Sequence, residues 1–440
     1  MSVSPNQPVT APVPALQAAP HTRAADSTLR LLREGYDFLP RRCAELNTDV
    51  FVTRLMGRRV ICTSGPDAAR MFWHPGRFTR RGAIPPTTLM LLQDFGSTET
   101  LDGEDHRHRK AMMMSLQTPA DRARMVGIAA REWRARAARW PARGRVSLFE
   151  ESESVLCAAA CRWAGIPPEA WAADEDHTRL TRAFSAMIAG AGTRFRHTVR
   201  GLLLRSRTER WARELVEAVR TRRLAPPPDS PLAVIARHRD RDERPLPVAV
   251  AAVELINVLR PVVAVARYVV FGALALHDFP EWRPRLAAGD DDALTAFAQE
   301  VRRYYPFFPA VGGRVREPFT WRGMAFEEGA WVLFDMHGTN HHPGVWPEPH
   351  RFRPERFAGW QSDGFDLVAQ GAGDYLTGHR CPGEMMTVDL VKSALHLLAA
   401  EAVYTVPRQD LTVCLARMPA LPASGFLIDA AAPLPRAAHP

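Results

Sequence analysis

Gly378-His379-Arg380-Cys381-Pro382-Gly383-Glu384 is the stretch on which the reading of this 440-residue chain turns. One cysteine stands between glycines, two residues after a histidine and just ahead of an apolar helical run from Met385 to Leu398. Glycines let a backbone pass close to something large and flat. The helix that follows points its positive N-terminus back at the sulfur and favours the thiolate. A thiolate presented in this way is the proximal ligand of heme-thiolate iron centres. A lone free cysteine is more often a small buried hydrophobe. By itself the motif leaves both readings open.

Two more motifs stand upstream. Gln299-Glu300-Val301-Arg302-Arg303-Tyr304-Tyr305-Pro306 puts Glu300 and Arg303 on one helical face. Arg353-Pro354-Glu355-Arg356-Phe357 adds Arg356. Alone, Glu300 and Arg303 read as a solvated surface pair. Buried with Arg356, they make a charge-assisted network that locks a helix to a loop. In the order Glu-x-x-Arg, Pro-Glu-Arg-Phe, Cys-x-Gly, the three motifs resemble the cytochrome P450 superfamily, from about Thr28 to the end. The resemblance implies a mainly α fold with a small β region, one large domain around one heme b. Cys381 would be the axial ligand of its iron.

Composition sets the frame. A hydrophobic content of 46% is ample for one large core. Residues 1–27, rich in Pro, Ala, Ser and Gln with no apolar periodicity, are expected to form a disordered leader, and 28–440 the cytochrome P450 domain. That leader has no apolar stretch of signal-peptide or membrane-spanning length, so a cytoplasmic protein with no membrane anchor is expected. The net charge of +9 is spread along the chain without aromatic interleaving, which argues against a nucleic-acid partner. Six cysteines do not suggest a disulfide framework. Cys157 and Cys161, one helical turn apart among apolar residues, read as core. His337, His341 and His342 read as a turn rather than a metal site.

Leu246 to His277 is the longest helical candidate. In its middle Arg260 stands among apolar residues, with Pro261 next. An unpaired buried guanidinium is costly, so Arg260 either reaches water at a helix break or faces an anion. The resemblance separates these readings. Ordinary members of the superfamily carry an acid-alcohol pair in the long central helix; here Arg260-Pro261 stands in its place. This is similar to the fatty-acid peroxygenase group. Asp374 and His379, where the wider superfamily has phenylalanine and arginine, agree with it. So does the Gln299 to Pro309 stretch.

That resemblance implies a hydrogen-peroxide-driven oxidation of a carboxylic acid at Cα or Cβ, giving a 2- or 3-hydroxy acid or a terminal alkene, with no redox partner required. Arg260 would clamp the substrate carboxylate, Pro261 would shape the helix, and the carboxylate would serve as the acid-base group. Arg80, His106, Lys110 and His379 match positions for heme propionates. Gln93, Phe307 and Phe308 would line the substrate tunnel. Glu99 falls where relatives carry histidine or glutamine. Buried, its pKa would rise and it would act as a built-in acid; on a shifted loop it would face water. A reductase-dependent monooxygenase and a non-catalytic heme-binding protein are the competing readings.

Overall fold

The central apolar run becomes two helices, Val248–Ala264 and Ala266–Asp278, joined at Val265. The computed structural model describes residues 20–191 and 195–431 and buries this pair in the main core. Pro261 lies inside the first helix, so the chain does not break at Arg260-Pro261. Proline has no N–H to donate, and the ladder gives one turn later. There the Val265 N–H bonds to Val262, three residues back. Val248–Asp278 is long and apolar enough to cross a membrane, but 67% of its most apolar window is buried inside the protein.

Helices Leu148–Trp163, Asp174–Gly190, Phe195–Arg220, Asp291–Tyr304 and Glu384–Ala400 surround the central pair. Residues 192–194, between the Asp174–Gly190 and Phe195–Arg220 helices, lie outside the described residues. Asp290 starts the Asp291–Tyr304 helix by accepting the Ala293 N–H at 3.0 Å, which fixes the start of the helix carrying Glu300 and Arg303. The Cys157 and Cys161 side chains are fully buried core, as expected.

The β region is small. Its largest sheet has five strands in the order Val50–Leu55, Arg58–Thr63, Trp331–Asp335, Ala310–Val315 and Phe78–Thr79. The first two form a hairpin, with Val50 opposite Thr63 and Gly57 in the turn at a φ of +73°. Residues 20–27, expected to be part of a disordered leader, are ordered. Residues 1–19 lie outside the described residues, but from Pro20 onward the chain pairs with the first strand. The Val52 N–H donates to the Pro20 carbonyl at 2.7 Å, and Thr53 donates to the buried Ser27 hydroxyl at 2.9 Å. An open strand edge recruits backbone that composition alone reads as disordered.

Candidate active site

The loop ahead of the Glu384–Ala400 helix sets Cys381 on the floor of a cavity of about 360 Å³, beneath the central helix. The Cys381 N–H bonds to the Gln370 carbonyl at 3.0 Å, and the Gln370 amide nitrogen lies 3.7 Å from the sulfur. Gly371 has a φ of +103°, and a Cβ there would sit 3.2 Å from the Arg380 Cα, so the two loops meet this closely only through glycine. The sequence predicted a thiolate favoured by the helix N-terminus. In the polypeptide, burial is the larger influence and pushes the thiol pKa up, with Glu384 adding to it and Lys110 opposing. An iron ion reverses that order, because a coordinated thiol is deprotonated outright.

Behind the loop lies a fully paired charge network. Arg303 grips Glu300 through two 2.7 Å hydrogen bonds, both side chains being 0% exposed, and Arg356 approaches Glu300 at 3.2 Å. Arg303 also donates to the Asn340, Pro349 and Arg351 carbonyls, tying its helix to the 340–356 segment. A second pair went unread in the sequence. Glu384, in the cysteine motif itself, accepts from Arg302 at 2.5 Å and from Arg380 at 2.6 Å. Those cations hold its carboxyl below the usual range despite burial.

One wall of the cavity is lined by basic residues. Arg80, His106, Lys110 and His379 come together there from three segments. His106 stacks on His379 with ring centroids 3.9 Å apart. Burial, then the neighbouring cations, pushes the His106 pKa down to about 3. Arg80 donates to the Gly312 carbonyl at 2.8 Å and packs its guanidinium 4.5 Å from the Phe72 ring centroid. Lys110 donates to the Arg380 carbonyl, pinning the cysteine loop.

Glu99 enters this wall. It is 26% exposed, 3.7 Å from Arg80 Nε and 3.5 Å from His379 Nδ1. Neither expectation for it is met. It does not sit out in water, and its pKa is lowered rather than raised: burial acts upward, but His379, Arg80 and His106 together outweigh it. Glu99 is therefore a resident anion of the wall and not a built-in acid.

Arg260 forms the opposite feature. It is 7% exposed and lines the cavity, its Nη2 donates to the Leu92 carbonyl, and its Nε has no partner among the described residues. Burial, with Arg205 adding to it, pushes its pKa down to about 9. Glu254, Asn257 and Arg260 follow at three-residue intervals along one face of the central helix and hold the 92–98 segment by its backbone. Glu254 accepts the Thr98 N–H at 2.7 Å, and Asn257 donates to the Gln93 carbonyl at 2.8 Å. Sequence reasoning passed over Glu254 and Asn257, although their helical spacing from Arg260 was available. Gln93, Phe307 and Phe308 also line the cavity. Phe307 stacks on Tyr268 at 4.3 Å, and Phe308 lies at a right angle to it, 41% exposed.

The residues present fit a heme. A single thiol faces the cavity from a glycine loop, and the buried Arg80 and Lys110, with His106 and His379 beside them, stand to one side, as two propionates require. No other metal arrangement competes: among the described residues no group of three or more His, Cys, Asp or Glu is placed to hold an ion, and the residues around His337 are packed ring on ring.

This fold and site define a heme-thiolate protein. The cytochrome P450 family profile matches residues 292–397. Solved structures extend the match to nearly the whole chain. Cytochrome P450EX alpha (CYP152N1), with myristic acid, is 38% identical with a TM-score of 0.89, covering 94% of this chain and 98% of that one. Cytochrome P450SP alpha (CYP152B1), in complex with (R)-ibuprophen, is 40% identical with a TM-score of 0.89, covering 92% and 98%. A variant of cytochrome P450 OleT, in complex with arachidonic acid, is 32% identical with a TM-score of 0.90, covering 94% and 98%. Among curated proteins, rhazimal synthase of Alstonia scholaris is 34% identical over 108 residues, 23% of this chain and 20% of that protein. The chain thus spans about a fifth of the length of that curated relative in the aligned region. The chain belongs to the cytochrome P450 family, alongside the CYP152 proteins, and is a heme-thiolate oxidoreductase.

Proposed function

We propose that this enzyme uses hydrogen peroxide to oxidise a carboxylic acid next to its carboxylate. The observation that carries the reading is Arg260, a buried guanidinium lining the same cavity as Cys381 with no acid in ion-pair contact among the described residues. A carboxylate entering the cavity supplies the missing anion, and guanidinium takes it in a two-pronged geometry. The similar structures that hold myristic and arachidonic acids support the same class of ligand.

Cys381 would ligate the heme iron, with Arg80, His106, Lys110 and His379 around the propionates. Bound heme supplies the activation of peroxide and the removal of hydrogen from carbon. Arg260 fixes which carbons are presented, since those beside an anchored carboxylate lie over the Cys381 side of the cavity. The central helix carries no acid-alcohol pair at Arg260-Pro261, so the anchored carboxylate itself holds and returns the proton that peroxide cleavage requires. Phe307 and Phe308 line the path of the chain and exclude water. The atoms balance in both outcomes. An acid and one peroxide give a hydroxy acid and water, or a terminal alkene, carbon dioxide and two waters. No redox partner is needed, because peroxide brings its own oxidising equivalents. A cytoplasmic enzyme is consistent with this reading.

The test is a product assay of the heme-loaded protein with peroxide and a series of carboxylic acids, without any reductase, beside Arg260→Ala. Turnover that collapses in the variant supports the reading, and the product separates hydroxy acid from alkene. Turnover that appears only with a ferredoxin and its reductase would replace it with a conventional monooxygenase.

A further inference from the structure

The face formed by the Asp174–Gly190 and Phe195–Arg220 helices carries chemistry that the cavity does not use. Between them runs an open groove of about 750 Å³. On the first helix Glu175, Thr178, Arg179 and Arg182 share one side; on the second Arg196, Val199, Arg200, Leu203 and Arg207 share one. Five arginines there meet two acids, Asp174 and Glu175.

Arg179 pairs with Asp176. Arg182, Arg196, Arg200 and Arg207 have no ion pair or hydrogen bond among the described residues. Some surface arginines elsewhere are matched in place, as in Arg134 with Glu401 and Arg145 with Asp429; what sets this face apart is that four unmatched ones line a single groove. Here the free guanidinium groups surround two large apolar side chains left in water, Leu203 at 66% and Val199 at 42% exposure. Unpaired guanidinium groups around projecting aliphatic side chains complement a surface with anionic headgroups over acyl chains. The groove also sits one helix away from the cavity. A Cβ on Gly190 or Gly201 would come 3.1 or 2.9 Å from the Leu91 side chain. The Pro86–Leu92 helix then turns Thr88, Leu89 and Leu92 into the cavity.

We propose that this helix pair docks the protein on an anionic lipid bilayer, with the arginines on the headgroups and Leu203 and Val199 in the interface. The proposal does not depend on the acid-oxidation reading.

The test uses the full heme-loaded chain and sedimentation with vesicles, half phosphatidylglycerol and half phosphatidylcholine or phosphatidylcholine alone, at about 0.15 M salt. The expected result is binding to the anionic vesicles only, weakened by salt. Arg200→Glu with Arg207→Glu lowers partitioning by more than about tenfold, since each basic residue near such a surface contributes roughly fivefold. Leu203→Ser lowers it several-fold. Arg196→Gln with Arg200→Gln is a milder pair, read alongside if the charge reversals lose the heme absorption of the wild type. Arg58→Glu with Arg59→Glu, on the first hairpin, makes the same charge change and leaves binding intact. Equal loss in this control would mean that net charge alone drives binding and would overturn the proposal. So would equal binding to phosphatidylcholine, or no binding at all.

Discussion

Arg303 and Arg260 are both buried on helices, and their surroundings are opposite. Arg303 is met by Glu300 through two hydrogen bonds and by three backbone carbonyls. Arg260 has the Leu92 carbonyl, a bare Nε and a cavity. Arg267 shows that an orphaned nitrogen is not enough: it too has bare nitrogens, but Glu153 faces it, the Phe149 ring lies 5.1 Å away, and it does not line the cavity. A buried arginine is a structural rivet when the chain brings the anion, and a binding group when the anion must come from outside.

Arg303→Met is the largest test of that contrast. It leaves Glu300 buried with only Arg356 and the Arg353 N–H beside it, a loss of about 3–5 kcal/mol that lowers the melting temperature of a chain this long by roughly 3–5 °C. An unchanged melting curve would erase the distinction. Arg260→Met has the opposite signature. Peroxide-driven kcat/KM falls by about 10²–10³ while the melting temperature holds or rises, because an unpaired buried charge has been removed. Parallel loss of stability and activity would make Arg260 a rivet as well.

Ligand binding sharpens the comparison from the other side. A long-chain acid at about 100 times its Kd stabilises the wild type by ~2.7 kcal/mol in thermal melts, and stabilises Arg260→Met far less.

Asp335 is the acidic counterpart of Arg260, a buried carboxyl with no ion pair among the described residues. It accepts the Gly338 N–H at 2.7 Å and the Ser64 hydroxyl at 3.2 Å, and burial pushes its pKa up to about 7. The folded state therefore keeps a proton that the unfolded chain has already released. Stability falls as pH rises from the unfolded value of 3.8 through about 7. Asp335→Asn, which keeps the helix cap, flattens that slope in denaturation curves taken between those limits.

Glu99→Gln is the smallest effect. Removing a resident anion that shares Arg80 and His379 with incoming carboxylates tightens heme retention, read as slower heme transfer to an excess of apomyoglobin. The gain is a few-fold, the scale of one partly exposed charge pair. Faster heme loss would show that Glu99 orders the cations instead of competing for them.

Much of this was legible before any coordinates. Cys381 on its glycine loop, the Glu300, Arg303 and Arg356 motifs, and one arginine inside an apolar helix all follow from short-range spacing. Glu99 could be placed by register but not read. Its charge state depends on Arg80, His106 and His379, which lie in other segments, and on burial that no local pattern records. The leader boundary failed for a related reason, since residues 20–27 are ordered by a strand edge elsewhere in the chain.

Readable from the chain alone were the family, the iron ligand and the presence of a guanidinium where an acid-alcohol pair is usual. These are matters of residue type at fixed intervals, and helices and tight loops translate intervals directly into geometry. Long-range packing settles the rest: Arg260 has no acid beside it among the described residues, Glu99 has several basic neighbours, and Glu254 and Asn257 hold the cavity wall by its backbone. Whether a buried charge is satisfied depends on groups brought together by long-range packing, and desolvation then sets what each of them is worth.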